Sequence, residues 1–443
     1  MEQIKVDFSK WVGAIKPLNA VNNGPKPDSD DQTSGNFGDF KRMRTPYART
    51  HDSAFCGSYG GPHIVDISSI FPDFDADPAL PESYDFTLTD DFLQSIIDAG
   101  SQVFFRLGES IEHARKKYRI YPPKDFKKWA VICEHIIRHY NEGWADGFHH
   151  NIIYWEIWNE PNLRIENNSP TWGGTTQQFF DFYEIAAKHL KSCFPNLKIG
   201  GPSVARGREW GEEFLAQMKK RGVPLDFYSW HRYTCYVENL MERVDYTRRT
   251  LDEAGFRDTE SILNEWAYIK GWTDDFVYSL ETINGIKGAS YVTAIMASCQ
   301  YAPLDMLMYY DARPGTSFNG LFHSVTEKPQ KTYYSIYGFS DLAELGEAVA
   351  VENCPDVYCV AATNGSCHGM LLTYYNDDDS APRKTVNLAW SGMTEKSKVT
   401  VYRTDSESDM APVLEMVVNG PDVELHLDMK LHDVYYVDIA PIA

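Results

Sequence analysis

Between about residues 17 and 340 the chain repeats one pattern: a short, dense apolar run, then an amphipathic stretch at helical spacing. The clearest runs are Gln102-Val-Phe-Phe-Arg-Leu107, Ile152-Ile-Tyr-Trp-Glu-Ile157 and Leu225-Asp-Phe-Tyr-Ser-Trp230; Ser261-Ile-Leu-Asn264 and 304–310 are two more. Gly, Pro or Asn bounds them, as expected of parallel strands buried on both faces. About eight candidates fall near 18–22, 46–51, 102–107, 152–157, 197–201, 225–231, 261–264 and 304–310. Parallel strands need a crossover, and the helical stretches supply it. Eight repeats fit a (β/α)8 barrel over 16–343. A doubly wound sheet is the alternative, but no GxGxxG follows the first strand.

The helices carry their own punctuation. Thr89-Asp-Asp before Phe92, Leu93, Ile96 and Ile97, with Gly100 behind, predicts a capped helix. Asp125 opens a second, with Trp129, Cys133, Ile136 and Tyr140 on one face and Gly143 at its end. A third carries Phe179, Phe182, Tyr183, Ala186, Ala187 and Leu190. After about residue 344 helical spacing stops. Short runs at 357–361, 370–375, 385–389, 398–402, 413–418, 423–427 and 434–439 alternate with Asn-, Gly-, Asp- and Ser-rich turns. That predicts an all-β sandwich over 344–443, and residues 1–15 (Ile4, Val6, Phe8, Trp11) fit one further strand of it.

Charge narrows the partners. Against 42 Lys and Arg stand 63 Asp and Glu, a net of −21, and basic residues gather only in short patches such as Lys41-Arg42-Met43-Arg44. Such a surface repels phosphate backbones and anionic lipid, so neither nucleic acid nor a membrane is expected as partner. The start of the chain shows no basic segment followed by an apolar one, and no apolar run is long enough to span a bilayer. The eight cysteines (56, 133, 193, 235, 299, 354, 359 and 367) are scattered without a CxxC pair. Reduced thiols and a cytoplasmic location are the expectation; a secreted chain trimmed of its signal would read the same. A homo-oligomer stays open. Aromatics reach 14%, enough to raise a sugar partner, since ring faces stack on sugars.

Two strand ends carry the chemistry. The fourth candidate strand runs into Trp155-Glu-Ile-Trp158-Asn159-Glu160-Pro161, and the seventh into Asn264-Glu265-Trp266. In a barrel the functional face lies where strands end. A carboxyl fenced by Trp155 and Trp158 loses solvent, which raises its pKa and suits a general acid. A second carboxylate facing the same space is what glycosidic cleavage requires.

The order Trp-Asn-Glu160-Pro, Gly200-Gly-Pro202, Trp230-His231-Arg-Tyr233, Asn264-Glu265-Trp266 resembles the clan A retaining glycosidases. Together with Arg49-Thr-His51-Asp52 it is similar to glycoside hydrolase family 39, which includes β-xylosidases and resembles α-L-iduronidases. The resemblance covers roughly 17–340. It implies a retaining exo-glycosidase that cleaves an equatorial bond of a plant-type oligosaccharide or small glycoside by double displacement, without metal or cofactor. Glu160 would be the acid/base and Glu265 the nucleophile. Asn159 would hold the sugar 2-hydroxyl, Tyr233 would bond Glu265, and Arg49 would lie beneath it and lower its pKa. His51 and His231 would contact substrate hydroxyls, with Trp266 and Asn22 also placed at the substrate. The chain lacks the tryptophan that many of these enzymes carry at the eighth strand; Tyr310 would serve as the platform. Arg313 either clamps a sugar carboxylate or pairs with Asp311. Other specificities on the same site are an α-L-arabinosidase, an iduronidase-like or an endo-acting enzyme. A non-catalytic carbohydrate-binding protein is the rival of another class.

Four further features have plainer expectations. His135 and His139, beside Glu134, lack HExxH order and are read as a solvated helix face. Asp377-Asp-Asp379 is read as a polar hairpin loop rather than a calcium site. Asp28, Asp30 and Asp31 lie in a Gly/Ser/Pro-rich loop, 23–39, expected beside the pocket. Trp172-Gly-Gly174 is either a turn or an aromatic wall of the aglycone site.

Overall fold

The computed structural model describes residues 2–26, 35–52, 63–112, 115–163, 170–393 and 395–442. Asp28, Asp30, Asp31 and Cys56 lie outside the described residues. The first strand, β1 (Glu2–Ala14), is followed by β2 (Ala20–Asn22), β3 (Tyr47–Thr50), β4 (Gln102–Leu107), β5 (Tyr154–Ile157), β6 (Lys198–Val204), β7 (Phe227–Tyr233), β8 (Glu260–Ala267) and β9 (Met306–Tyr309). Strands β2 to β9 close into a barrel in chain order, every pair parallel and β2 meeting β9. All eight candidate strands are barrel strands. Between and after them lie α1 (Phe37–Met43), α2 (Ile67–Ile70), α3 (Thr87–Asp98), α4 (Phe126–Glu142), α5 (Thr176–Cys193), α6 (Glu209–Arg221), α7 (Val237–Glu253), α8 (Phe276–Ile283), α9 (Ile286–Gln300) and α10 (Lys331–Leu345).

Strand alternation sorts the core into two layers. Phe104, Tyr154, Ile262 and Met306 cluster with Ala20, Phe227 and Met308 and fill the barrel interior. Their chain neighbours Phe105, Trp155, Leu263 and Leu307 belong instead to the large cluster beneath the helices. Successive side chains of a strand point to opposite faces, so the split is the expected one.

Helix α4 starts as expected, with the Asp125 carboxylate accepting from the backbone of Lys127 and Lys128 and Gly143 left-handed at its end. In α3 the expected start is wrong. The helix begins at Thr87, and Thr89 is buried within it, its hydroxyl donating to the Ile64 carbonyl. The expected solvated face at His135 and His139 is also wrong: His139 is buried, stacks on Phe86 and bonds Trp144 O and Asp90 Oδ1. Trp172 is core rather than pocket wall, packed edge-on against Trp158 and Phe179 with its indole bonded to Thr175 O.

The remaining strands are β10 (Glu347–Glu352), β11 (Val357–Thr363), β12 (His368–Tyr374), β13 (Lys384–Ser391), β14 (Ser397–Thr404), β15 (Ala411–Val418), β16 (Val423–Met429) and β17 (Val434–Pro441). Only β10 lacked a counterpart in the sequence pattern. With β1 these strands form one hydrogen-bonded sheet of nine, ordered β15-β14-β17-β12-β11-β10-β1-β13-β16. Leu427 and Met429 at one edge share a core with Val399, Val401 and Val418 at the other, so the sheet wraps over its own apolar face. Strand β1 runs antiparallel to β10 and parallel to β13. The outer face of β11 and β12 covers α9, whose residues are therefore buried almost all round. Asp377 is engaged there by Lys270, Lys287 and the Tyr268 hydroxyl, and Asp379 by Lys287. Among the described residues no helix is long and apolar enough to cross a membrane.

Candidate active site

At the end of β5 the backbone departs from strand geometry. Trp158 and Glu160 both take left-handed conformations, at φ 73° and 50°. Such torsions cost energy for residues with a side chain and persist only where neighbours hold them. Here Trp158 N bonds Leu107 O at 2.7 Å, and Glu160 N bonds Ser203 O at 3.0 Å. The turn sends the Trp158 indole outward to Thr171 O, while Asn159 and Glu160 both face the barrel axis.

Strand β8 solves the same problem with a bulge. Trp230 pairs with Leu263, but His231 pairs with Glu265, leaving Asn264 as an extra residue. Two consecutive side chains therefore point inward. Asn264 bonds Glu156 Oε1 at 2.6 Å, and Glu265 reaches Arg49 and Tyr233. Trp266 is then forced outward. It is fully buried against Tyr291 and Tyr309 and is not a substrate contact, contrary to expectation.

Arg49 is the hub. Its five N–H groups make five hydrogen bonds: Nε to Glu156 (2.7 Å), Nη1 to Asn22 (2.9 Å) and Glu265 (2.8 Å), Nη2 to Asn159 (2.7 Å) and Ser203 (3.0 Å). Asn22, expected at the substrate, is spent in this frame; its amide also donates to Asn264 O at 2.7 Å. Glu156, Ser203 and Asn264 were not singled out from sequence. An acidic residue two positions after inward Tyr154 in a buried strand was the available signal for Glu156.

Above the hub, His231 Nδ1 lies 2.7 Å from Glu160 Oε1 and 3.3 Å from Glu265 Oε2. Oxygens of the two carboxyls and this nitrogen lie within 4.8 Å of one another. Burial, assisted by the Asp52 charge and opposed by Arg49, raises the Glu160 pKa to about 8. Burial also raises Glu265, against the opposing pull of His231, Arg49 and the Tyr233 hydroxyl, which donates to it at 2.9 Å. The expected net lowering of Glu265 by Arg49 is thus absent, because the desolvation of a fully enclosed carboxylate exceeds it. Burial pushes His231 down to about 4, and His51 also falls well below its ordinary value. Both rings are neutral at pH 7.

Several buried polar atoms around this centre lack a hydrogen-bond partner among the described residues: Asn159 Nδ2, both ring nitrogens of His51, His231 Nε2 and Asp52 Oδ1. Buried polar groups are normally paired, so this concentration points to a polar ligand. Tyr310 donates to Asp52 at 2.9 Å and packs with Phe318 and Tyr233. Trp272, 54% exposed, stacks on Phe318 and meets the Tyr233 ring edge-on. Arg313 donates to the Asp52 carbonyl and lies 3.8 Å from Asp311. Its alternative as a pair for Asp311 is the one the geometry matches.

Residues 63–278 match the model of glycosyl hydrolases family 39. The family 39 match contains the segments around Glu160, Gly200, His231 and Glu265; Arg49 to Asp52 precede it. The chain is 30% identical over 181 residues to a β-xylosidase of Geobacillus stearothermophilus, covering 39% of this chain and 35% of that relative. The alignment therefore spans about a third of the relative's length. In structure the chain is similar to a glucosidase of Croceicoccus marinus, with TM-score 0.84, 21% identity and all of both chains covered. It is likewise similar to a monomeric β-xylosidase of Caulobacter crescentus CB15, with TM-score 0.75, 16% identity and all of both chains covered. Those two likenesses establish the shared barrel-and-sheet fold.

Proposed function

We propose that this chain is a retaining, exo-acting glycoside hydrolase that releases a neutral, xylose-like sugar. The observation that carries the proposal is the approach of the Glu160 and Glu265 carboxyl oxygens within 4.8 Å of each other across His231. Retaining glycosidases hold their carboxyls roughly 5–5.5 Å apart, whereas inverting ones need about 6.5–9.5 Å to admit a water.

In the first step Glu265 attacks the anomeric carbon. Glu160, protonated at neutral pH by its burial, gives its proton to the leaving oxygen, and the glycosidic bond breaks. A glycosyl ester on Glu265 results. In the second step Glu160, now a carboxylate, takes a proton from water as the water oxygen displaces Glu265. Arg49 and Tyr233 hold Glu265 by one oxygen each, fixing its line of attack. Because Arg49 occupies Asn159 Oδ1, Asn159 Nδ2 is left to donate, which suits a sugar 2-hydroxyl.

Charge supports a neutral sugar. Arg49 is paired with Glu156 and Glu265, Arg106 with Asp66, and Arg313 with Asp311. A uronate carboxylate would meet guanidinium charge already balanced by these carboxylates. The β-xylosidase likeness supports a pentose, and the glucosidase likeness makes glucosides the first comparison.

Hydrolysis of nitrophenyl xyloside, glucoside, arabinosides, galactoside and iduronide tests the proposal. Proton NMR of the first-formed product should show retained anomeric configuration, and xylo-oligosaccharides should yield only monosaccharide at early times. Glu265→Ala should lose turnover and regain part of it with azide as glycosyl azide. Inverted product, or full activity of that variant, would overturn the assignment. No turnover on the whole panel would favour a non-catalytic binder.

A further inference from the structure

We propose that Glu134, His189 and Cys193 form a zinc-binding site on the outer surface of the barrel, bridging α4 and α5. Glu134 lies on α4, while His189 and Cys193 stand one turn apart near the end of α5. Helix α5 leads directly into the start of β6, so the trio sits at the end of the barrel opposite Glu160 and Glu265. A bound ion there would tie two helices together and take no part in the glycosidase chemistry.

The donor atoms already converge. His189 Nε2 lies 2.7 Å from Glu134 Oε2 and 3.8 Å from Cys193 Sγ, and all three atoms fall within 4.8 Å of one another. Zinc takes nitrogen at about 2.0–2.1 Å, oxygen at about 2.0–2.2 Å and sulfur at about 2.3 Å in a tetrahedron. Those bond lengths set donor-to-donor edges of roughly 3.4–3.6 Å. Small side-chain shifts therefore convert the hydrogen-bonded trio into three ligands of one ion. The three groups are only partly exposed, which leaves a side for a water as fourth ligand.

The surroundings fit this use. Arg138 grips the other carboxylate oxygen, Glu134 Oε1, at 2.8–2.9 Å, which fixes the carboxylate and leaves Oε2 turned to His189. Outer partners of this kind orient metal ligands. A mixed nitrogen, sulfur and carboxylate set suits zinc rather than calcium or magnesium, which prefer all-oxygen sites. On binding, the Cys193 thiol passes its proton to solvent and the thiolate sulfur binds the ion.

The test adds zinc chloride to the full chain after dialysis against a chelator. One zinc per chain is expected by calorimetry, and cobalt in its place should give a thiolate-to-metal charge-transfer band. Zinc should protect Cys193 from iodoacetamide, read by peptide mass spectrometry, while Cys367 reacts as before. Cys193→Ser and His189→Ala should each weaken zinc binding by about tenfold or more, since each removes one of three protein ligands. Alkylation of Cys193 at the same rate with and without zinc would overturn the proposal. So would zinc affinity unchanged in both variants. The alkylation arm uses the unsubstituted chain and stands even where a variant fails to fold.

Discussion

Arg49 Nη1 donates to Glu265 Oε1 at 2.8 Å, and neither side chain has more than a trace of exposure. The ion pair is thus built into the barrel interior before any substrate arrives. Removing one partner of a buried pair leaves an uncompensated charge, at a cost of about 3–5 kcal/mol. Arg49→Lys cannot reproduce five directed bonds with one ammonium. It should lower the thermal midpoint and abolish turnover together, which differential scanning calorimetry and a nitrophenyl assay will separate from a purely catalytic loss.

The two carboxyls should also be separable kinetically. Glu160→Ala should cut kcat/KM about 10²–10⁴-fold on a poor leaving group and far less on an activated nitrophenyl one, because only the former needs a proton. Glu265→Ala should lose both equally. Identical losses across leaving groups in Glu160→Ala would contradict the acid role.

pH dependence follows from the raised Glu160 pKa. Glu160 must be protonated to act as an acid, so kcat/KM should fall as pH rises through about 8. The Asp52 charge helps hold that value up, so Asp52→Asn should move the alkaline limb to lower pH. A pH–rate profile of both proteins reads the shift; movement in the other direction would remove Asp52 from the account.

The same shift has a stability consequence. A carboxyl whose folded pKa lies above its unfolded value stabilises the fold below the unfolded pKa. That contribution is lost as pH rises through the folded value near 8. Glu160→Gln removes the ionisation. Relative to the parent, it should gain thermal stability at pH 8 and above and lose that gain near pH 4.

Two tryptophans on neighbouring parts of the chain should behave oppositely. Trp266 is wholly buried, so Trp266→Ala should cost about 3–5 kcal/mol of stability. Trp272 is half exposed beside Tyr233 and Phe318, so Trp272→Ala should leave the midpoint nearly unchanged and raise KM. Equal effects of both on KM would contradict the outward placement of Trp266.

The barrel was legible because period and punctuation are local properties. Each buried strand is a dense run between breakers, and the helices between them repeat every three to four residues. The second strand-rich region was legible for the same reason, apart from β10, whose Glu-Ala-Val-Ala-Val-Glu is set off from α10 by the single residue Gly346. The start of α3 was misplaced because Thr89 has the chemistry of a cap but spends its hydroxyl on a distant carbonyl.

Residue order alone determined that two glutamates end two strands of a parallel barrel, each beside asparagine and tryptophan. It could not determine which way each side chain turns. The sequence suggests Trp155 and Trp158 as a fence around Glu160 and Trp266 as a substrate contact, yet strand alternation and the two local distortions send all three into the core. Tertiary structure alone brought Glu156, Ser203 and Asn264 around Arg49, paired Arg313 with Asp311, and let burial outweigh Arg49 at Glu265. Direction and charge balance depend on neighbours far apart in the chain, through pairing register and loss of water, and those exist only once the barrel has closed.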